Sequence, residues 1–377
     1  MSVREPVYDV VVALNYYAPY VSGVTEAARM TVEGWAARGY RVLVVAGHHD
    51  PATPAREVVN GVRVIRTPVV ARIGKGTISP AFVPTVARWA RRARLLHLHL
   101  PMLEAGAIAA ATRGTPLLVT YQCDVTLPPG LFNAVQVRGL DLSHRIALRA
   151  ADAVAVTSED YARSSRLWPA MAGRTVEVPA PARDRSGGSP TFRDGPGPHI
   201  GFVGRIVEEK GLEFLVDGFR AVPDPAARLL LAGDFAKVAG GSVIEKVRAR
   251  IGDDPRIRVL GFVADEELPD FYASLDVLAL PSINSLEAFG IVQVEAMMQG
   301  VPVIASDLPG VRMPVRHTGF GREVPRRDAA AITRAVEELR ADPPDRAEGQ
   351  RRAVARYALD VVLDEHVRLL ESLALPR

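Results

Sequence analysis

The feature that most constrains the fold is a compact strand–helix–strand unit in the second half of the chain. An apolar run, Val277–Leu280, predicts a buried parallel strand. After a short polar loop, the residues that follow Gly290 have apolar positions at the spacing of a packed helix. Gly300 and Pro302 end that helix, so the next strand, residues 301–305, begins at once.

Two glutamates lie around the start of this predicted helix. Glu287 comes just before it and Glu295 lies within it, with seven residues between them. The free N–H groups of a helix start, together with the open backbone of Gly290, form a natural site for a phosphate. The two carboxylates would then reach groups on either side of a bound diphosphate, as in a nucleotide sugar. A surface-loop glutamate and an ordinary helix glutamate would have the same spacing, so the pair alone leaves both interpretations open.

The sequence around these glutamates resembles a known family. Residues 285–310, SLEAFGIVQVEAMMQGVPVIASDLPG, are similar to the E-x7-E signature of the retaining glycosyltransferases of the GT-B fold, family 4. Residues 204–211 match the Gly-Arg-x4-Lys-Gly motif of the same family. The resemblance implies an α/β chain with two Rossmann-like domains that face a central cleft.

The resemblance also implies roles for the residues of these motifs. Arg205 and Lys210 would hold the donor diphosphate, and two cations in a glycine-bounded loop after a strand are suited to that task, although exposed loop cations are the plain alternative. Glu287 would position the sugar hydroxyls and stabilise positive charge at the anomeric carbon, while Glu295 would bind the ribose. The other expected donor-binding residues are Gly23, Gly204, Phe262, Val263, Phe289, Gly290 and Ile291.

The chain opens with a strand at 7–14, a helix at 25–38 and a second strand at 41–46, which is the Rossmann-like pattern. The loop before the helix resembles the family's Pro-x-x-Gly-Gly-Val loop, which approaches the donor phosphates. Ser22 stands where the family has the first glycine, and Gly23 provides the second.

Three residues at or just after the ends of later strands are candidates for the acceptor side: His99, Gln122 and Asp124. His97 and His99 alternate onto one side of a predicted strand, but no third ligand is apparent nearby, so we prefer a strand-end role to a metal site. Gln122 replaces the histidine of the family's Thr-Tyr-His-x-Asp segment, and an amide cannot act as an acid or base near neutral pH. Asp124 is either an acceptor-side carboxylate or a cap. Cys123 has no supporting base and is set aside as a nucleophile.

Two stretches bear on the acceptor. Residues 81–95 place Trp89 among arginines on a predicted helix, which suits an anionic membrane surface but equally suits a solvated helix whose tryptophan packs in the core. Residues 125–140 are apolar and interrupted by proline and glycine, and we expect them to line the acceptor site. In membrane-associated relatives of the family, the part of the N-terminal domain that contains residues 81–95 is often where lipid and acceptor meet, which favours membrane contact. Together the two stretches favour a lipid-linked acceptor.

The chain has 377 residues, enough for two domains. We place the N-terminal, acceptor-side domain at 1–182 and a linker rich in Gly, Pro, Ser and Arg at 183–198. The nucleotide-sugar-binding domain would be 199–355, and the resemblance implies that 356–377 returns to the first domain as a helix.

Composition narrows the class of protein. With 48% hydrophobic and 24% charged residues the chain is typical of a soluble globular protein. Its single cysteine excludes an intrachain disulfide and fits a reducing compartment. We expect a cytoplasmic protein without a signal peptide or membrane span. A peripheral location on the inner face of the membrane is compatible with that expectation. The net charge of +3 comes with no nucleic-acid-binding motif, so we exclude nucleic acid as the main partner.

The resemblance to the family implies a metal- and cofactor-independent enzyme that moves a hexosyl group, with retention, from a nucleotide-diphosphate sugar to an acceptor. We expect a lipid-linked or glycan acceptor in cell-envelope or polysaccharide synthesis. Transfer to a soluble small molecule is one alternative. A non-catalytic nucleotide-sugar-binding protein of the same fold is the other.

Overall fold

The computed structural model describes residues 7–20, 22–73, 76–235 and 241–374. The others, which include parts of the predicted first domain, Val21 of the loop before the first helix and the end of the C-terminal segment, lie outside the described residues. The chain forms two compact units: one runs to Pro181 and takes up the chain again from Val362, and the other is Ala182–Val361. Each contains a mainly parallel sheet with helices, which confirms the predicted α/β class.

The first unit is built on an eight-stranded sheet. The strands of this unit are β1 (Tyr8–Ala13), β2 (Val42–His48), β3 (Arg56–Val59), β4 (Val62–Pro68), β5 (Ala71–Ile73), β6 (Gly76–Ile78), β7 (Ala93–Leu100), β8 (Leu117–Tyr121), β9 (Ala153–Val156) and β10 (Thr175–Glu177). Strands β5 and β6 pair only with each other and lie outside the eight-stranded sheet. The sheet order is β10-β9-β8-β7-β1-β2-β4-β3, and only the β3–β4 pair is antiparallel. Val10, Val11 and Val12 of the central strand are fully buried, as expected for a strand covered on both faces.

The helices of this unit are α1 (Gly23–Ala37), α2 (Phe82–Ala90), α3 (Ala105–Ala111), α4 (Leu131–Ala150), α5 (Glu159–Ser164) and α6 (Trp168–Met171). Helix α2 is shorter than the predicted 81–95, because β7 already begins at Ala93. The Trp89 ring lies 5.6 Å edge-on from that of Tyr8 in β1. The tryptophan therefore packs against the sheet, as the solvated-helix alternative requires.

The second unit has a six-stranded sheet in which all pairs are parallel. Its strands are β11 (His199–Val203), β12 (Arg228–Ala232), β13 (Ile257–Gly261), β14 (Val277–Leu280), β15 (Val303–Ser306) and β16 (Gly321–Val324). The order is β13-β12-β11-β14-β15-β16, so the direction of the winding reverses between β11 and β14. In open parallel sheets, ligands bind at the carboxyl ends of the strands at such a reversal.

The helices of the second unit are α7 (Leu212–Arg220), α8 (Ile244–Ile251), α9 (Leu268–Ala273), α10 (Ile291–Met298), α11 (Met313–Thr318), α12 (Ala329–Ala341) and α13 (Arg346–Tyr357). The last helix, α14 (Leu359–Ala374), contributes Val362, Leu369 and Leu370 to the hydrophobic core of the first unit. Among the helices of the described ranges, none is both long enough and apolar enough to cross a membrane.

Residues 183–198, which we expected to be a linker, belong to the second unit and pack against it. The Phe192 ring lies 5.9 Å from the Phe271 ring, and Arg193 donates to Asp276 (Nη1–Oδ2 2.9 Å). At Gly188 a Cβ atom would lie 2.1 Å from the carbonyl oxygen of Pro269. Gly188, Gly197 and the arginines of this segment therefore serve close packing and pairing, and not the flexibility that the composition suggests.

Candidate active site

The loops that follow β11 and β14 meet at the carboxyl edge of the second sheet. The Ile283 N–H donates to the carbonyl oxygen of Glu209 (2.9 Å), which ties the two loops together. Gly211 has a φ of +65°, and a Cβ atom there would lie 2.2 Å from the carbonyl oxygen of Pro281. Only glycine permits this crossing, which places the residues just before it beside the second loop.

This crossing brings Lys210 and Glu287 into direct contact, although they are far apart in the sequence. The Lys210 ammonium donates to Glu287 Oε2, and the Ser282 hydroxyl donates to the same oxygen (3.3 Å). Both charged side chains are largely shielded, at 16% and 14% exposed. The cation and carboxylate predicted from separate motifs thus form one ion pair at the reversal of the sheet.

Arg205 lies in the same loop but in a more open position. Its side chain is 48% exposed and its Nη2 donates to Glu209 Oε1 (3.3 Å). A guanidinium has five N–H donors, so this contact leaves others to meet a ligand. At Gly204, with a φ of +148°, a Cβ atom would lie 3.8 Å from Lys210 Cε, and its absence opens the backbone beside the lysine.

The start of α10 has the form predicted for an anion site. Gly290 caps the helix in the left-handed conformation (φ +81°), and a Cβ atom would lie 2.3 Å from Leu280 Cδ2. The glycine is thus required, and the N–H groups of Ile291 and Val292 precede the first bond of the helix, which runs from the Gln293 N–H to the Gly290 carbonyl oxygen (3.0 Å). Phe289 is placed differently from expectation, because its ring is buried against Tyr357 (5.8 Å between centroids).

Glu295 is buried, with only 4% of its surface exposed. Tyr272 Oη donates to its Oε2 (2.9 Å), and Arg185 Nε lies 3.3 Å from its Oε1. Burial raises the pKa of this carboxyl above its usual range, and the Arg185 charge opposes that shift. Arg185 also donates to Asp265 (Nη2–Oδ1 2.8 Å), so it links α10 to the loop after β13. No pattern in the sequence indicated this arginine, which lies in the segment that we expected to be a linker.

The loop after β13 ends at the same edge of the sheet. Gly261 adopts a φ of +77°, and its carbonyl oxygen accepts the Gly233 N–H (2.7 Å). Phe262 is 75% exposed and Val263 is half-buried. An exposed aromatic ring at the carboxyl end of a parallel strand is available to stack on a planar group.

In the first unit, the loop before α1 differs from the expected phosphate-binding loop. The Ser22 hydroxyl caps the helix by accepting the Thr25 N–H (3.2 Å), which explains a serine at this position. Gly23 is the first residue of α1, and a Cβ atom there would meet nothing within 4 Å. The backbone at Gly23 is therefore accessible, but the fold itself does not require glycine.

Of the acceptor-side candidates, the structure brings His99 and Gln122 together. Gln122 Nε2 donates to His99 Nδ1 (3.4 Å), and burial lowers the pKa of His99 to about 3. His99 is therefore neutral at physiological pH and does not titrate there. Its neighbour His97 pairs with Thr120 (Nε2–Oγ1 2.7 Å), and within the described ranges no cluster of His, Cys, Asp and Glu could hold a metal ion.

Asp124 lies in a separate buried network. Its Oδ1 accepts from Tyr121 Oη (2.6 Å) and Ser165 Oγ (3.0 Å), and Arg166 lies 3.4 Å away. The side chain is thus bound within the fold and is neither a free acceptor-side carboxylate nor a cap of the next helix, which begins only at Leu131. Sequence could not reveal this network, because Ser165 and Arg166 come from a distant part of the chain.

Comparison with known proteins identifies the family. Residues 197–342 match the model for glycosyl transferases group 1, and residues 22–181 match that for the glycosyl transferase 4-like domain. The phosphatidyl-myo-inositol mannosyltransferase of Mycobacterium leprae is 30% identical, with 93% of each chain covered. The 2-deoxystreptamine N-acetyl-D-glucosaminyltransferase of Streptomyces fradiae is also 30% identical, over 77% of this chain and 73% of that one.

The fold agrees with this assignment. Anabaena HepE, solved in complex with UDP-glucose, superimposes with a TM-score of 0.72 at 20% identity, over 97% of this chain and 99% of that one. The chain therefore belongs to the GT-B glycosyltransferases, and the predicted pair of Rossmann-like halves is confirmed. Its relatives are transferases of glycosyl groups.

Proposed function

We propose that this protein is a retaining glycosyltransferase of family 4 that moves a hexosyl group from a nucleotide-diphosphate sugar. The observation that carries the proposal is the Lys210–Glu287 pair at the reversal of the second sheet. It sets a cation for the diphosphate beside a carboxylate for the sugar, which is the arrangement that a donor with both groups requires. Similarity to a protein solved with UDP-glucose supports a nucleotide sugar as the donor.

In this mechanism the side chains of the second unit stabilise charge. Arg205 and Lys210 neutralise the leaving diphosphate, aided by the N–H groups at Gly290 and Ile291. Glu287 orients the sugar hydroxyls and stabilises positive charge at the anomeric carbon. Glu295, anchored by its buried contacts, binds the ribose.

The transfer itself proceeds on one face of the sugar. The bond between the anomeric carbon and the diphosphate oxygen breaks, and a bond from the acceptor oxygen to the same carbon forms. The acceptor proton passes to the leaving phosphate oxygen. No histidine is needed as a base, which agrees with Gln122 in the usual histidine position and with the lowered pKa of His99. Two cationic side chains take the place of a metal ion, and we propose a metal-independent reaction.

For the acceptor we propose a lipid-linked or glycan molecule of cell-envelope or polysaccharide synthesis. The similarity to a phosphatidyl-myo-inositol mannosyltransferase supports it, as does the exposure of Leu127, Leu131 and Phe132 in the apolar stretch 125–140. A soluble acceptor is the second candidate, because the Streptomyces fradiae relative acts on 2-deoxystreptamine. The intact Lys210–Glu287 pair argues against a protein that only binds nucleotide sugars.

The first test is a thermal-shift panel of UDP- and GDP-linked hexoses with the wild-type protein, Lys210→Ala and Lys246→Ala. A ligand that binds only the folded state raises the melting temperature. Lys246 is an exposed lysine of α8 in the same unit, and its variant serves as the matched control. We expect one donor to stabilise the wild type and the Lys246 variant but not Lys210→Ala. Equal stabilisation of all three proteins, or of none, would refute the proposed site.

A further inference from the structure

Helix α4 of the first unit has an apolar outer surface. Phe132 is 72% exposed and Leu131 82%. Further along the helix Val135, Leu142 and Ile146 are exposed as well. They are four or seven residues apart, so they lie on the same face of the helix. A contiguous set of large apolar side chains on the outside of a helix marks an interaction surface.

The same face is cationic. Arg138, Arg145 and Arg149 are exposed, and each follows an exposed apolar residue by three or four positions. No ion pair involves these three arginines within the described part of the chain. The only carboxylate of α4, that of Asp141, points inward and binds Arg166 (Oδ2–Nε 2.7 Å). The outer face therefore combines apolar and positively charged side chains and has no acid to neutralise them.

Contacts on the inner side fix the orientation of the helix. The Ser143 hydroxyl accepts the Gly106 N–H (2.9 Å), and His144 Nε2 accepts the Met102 N–H (3.1 Å). At Gly106 a Cβ atom would lie 2.8 Å from the carbonyl oxygen of Ser143, so α3 and α4 are in close backbone contact. Helix α4 cannot roll its apolar residues inward without breaking these bonds.

From this face we infer a docking surface for an anionic phospholipid bilayer, defined by Leu131, Phe132, Val135, Arg138, Leu142, Arg145, Ile146 and Arg149. Apolar side chains enter the headgroup boundary while arginines meet the lipid phosphates. A second copy of the chain fits poorly, because three arginines from each helix would share one seam without a carboxylate. The inference deepens the proposed function, since a lipid-linked acceptor lies in such a surface.

Helix α2, the segment that the sequence favoured for membrane contact, lacks this geometry. Its Phe82, Val86 and Ala90 are buried, and Trp89 packs on β1. Its one arginine, Arg88, is exposed, as is Arg91 directly after the helix. Apolar insertion is therefore assigned to α4 and not to α2.

The test is co-sedimentation of the full chain with vesicles of phosphatidylcholine alone or mixed with phosphatidylglycerol. We expect binding to the anionic vesicles only, weakened by added salt. Arg138→Gln with Arg145→Gln should reduce that binding about tenfold or more, because each basic residue near the surface contributes about 1 kcal/mol. Phe132→Ser with Leu131→Ser should reduce it similarly through lost apolar burial.

The matched control is Arg88→Gln with Arg91→Gln, which removes the same charge from α2 and the residue that follows it. Binding that is lost in the α2 variant and kept in both α4 variants would overturn the inference, as would equal binding of all variants. Unchanged circular dichroism and melting temperature show that the exposed substitutions leave the fold intact.

A second measurement reports how deeply α4 enters the bilayer. Phe132→Trp places a fluorophore on the outer face of α4, and brominated phospholipids in anionic vesicles should quench it. Quenching no greater than that of the wild-type protein would contradict insertion of α4. Donor-induced stabilisation, measured without vesicles, tests the proposed function separately, so loss of membrane binding with retained donor binding refutes only the docking surface.

Discussion

Replacement of Arg185 by methionine tests how the buried carboxylate at position 295 is held. Arg185 and Glu295 have side chains that are only 8% and 6% exposed, and they lie 3.3 Å apart. Two unit charges at that distance attract by about 5 kcal/mol at an effective dielectric constant of ~20. Removal of one partner from a buried pair leaves the other charge uncompensated, which costs roughly 3–5 kcal/mol. We expect Arg185→Met to lose about 3 kcal/mol of unfolding free energy near pH 8.

The loss should depend on pH in a defined direction. Burial already raises the pKa of Glu295 above its usual 4.5, and without Arg185 nothing of comparable charge opposes that shift. The folded state of the variant then holds the proton at pH values where the unfolded state has released it. Stability therefore falls as pH rises from the unfolded pKa to the raised folded pKa, with a slope of up to about 1.4 kcal/mol per pH unit. The difference from wild type should be smallest near pH 4, where Glu295 is neutral in both states.

Urea unfolding of the full chain between pH 4 and 8 measures this difference. Arg183→Met is the matched control, because Arg183 also pairs with Asp265 (3.4 Å) but with a more exposed side chain, and we expect it to lose less than about 1 kcal/mol. The double variant Arg185→Met with Glu295→Gln should recover most of the loss, since no buried charge remains. A loss in Arg185→Met that is independent of pH, or one that the double variant does not relieve, would refute the reasoning.

Three further predictions concern other parts of the chain. Burial lowers the pKa of His366 to about 4, so on acidification the unfolded state binds a proton at this histidine before the folded state does. The free energy of unfolding should therefore fall as pH drops below about 6.5. In acid unfolding experiments, His366→Leu should reduce the slope of that fall by up to about 1.4 kcal/mol per pH unit. Gly290→Ala should lower the free energy of unfolding, measured in urea, by at least about 1–2 kcal/mol, because of the left-handed backbone and the contact with Leu280. Gly139→Ala, in the exposed middle of α4, should raise it by up to about 1 kcal/mol. Equal effects of the two substitutions would contradict the geometry. Glu287→Gln should abolish transfer but keep the fold, as seen by product formation and circular dichroism; residual activity near that of wild type would exclude its proposed role.

The sequence predicted the parts of this structure that depend on local patterns. Apolar runs located the parallel strands because such strands are buried on both faces and need no alternation. Gly290 marked the start of α10, and the structure gives the reason, since its left-handed backbone and the nearby Leu280 side chain admit no Cβ atom. The same local logic placed Lys210 and Glu287 after adjacent strands, where the topology brings them together.

The sequence could not predict contacts between charged or polar side chains that lie far apart in the chain. Arg185 lies in a segment whose glycine and proline content is typical of a linker, yet it contacts Glu295 and Asp265, more than 70 residues away. Asp124 was a candidate site carboxylate because its segment resembles the family's Thr-Tyr-His-x-Asp, whereas its hydroxyl donors include the distant Ser165. Burial of a charged side chain depends on such partners, and periodicity does not report them.

The Lys210–Glu287 pair couples the binding of the donor's diphosphate to the binding of its sugar. In the free protein the ammonium of Lys210 is bound by the carboxylate that the proposed mechanism needs for the sugar. A diphosphate that takes Lys210 leaves Glu287 buried without its cation, unless the sugar hydroxyls donate to it in turn. A nucleotide sugar satisfies both groups, whereas the nucleoside diphosphate satisfies only one and should bind more weakly. In Glu287→Gln this difference should shrink, because the lysine is free and the amide needs no cation. Calorimetry with UDP, GDP and the matching nucleotide sugars measures it, and a difference in the variant as large as that of the wild type would disprove the coupling.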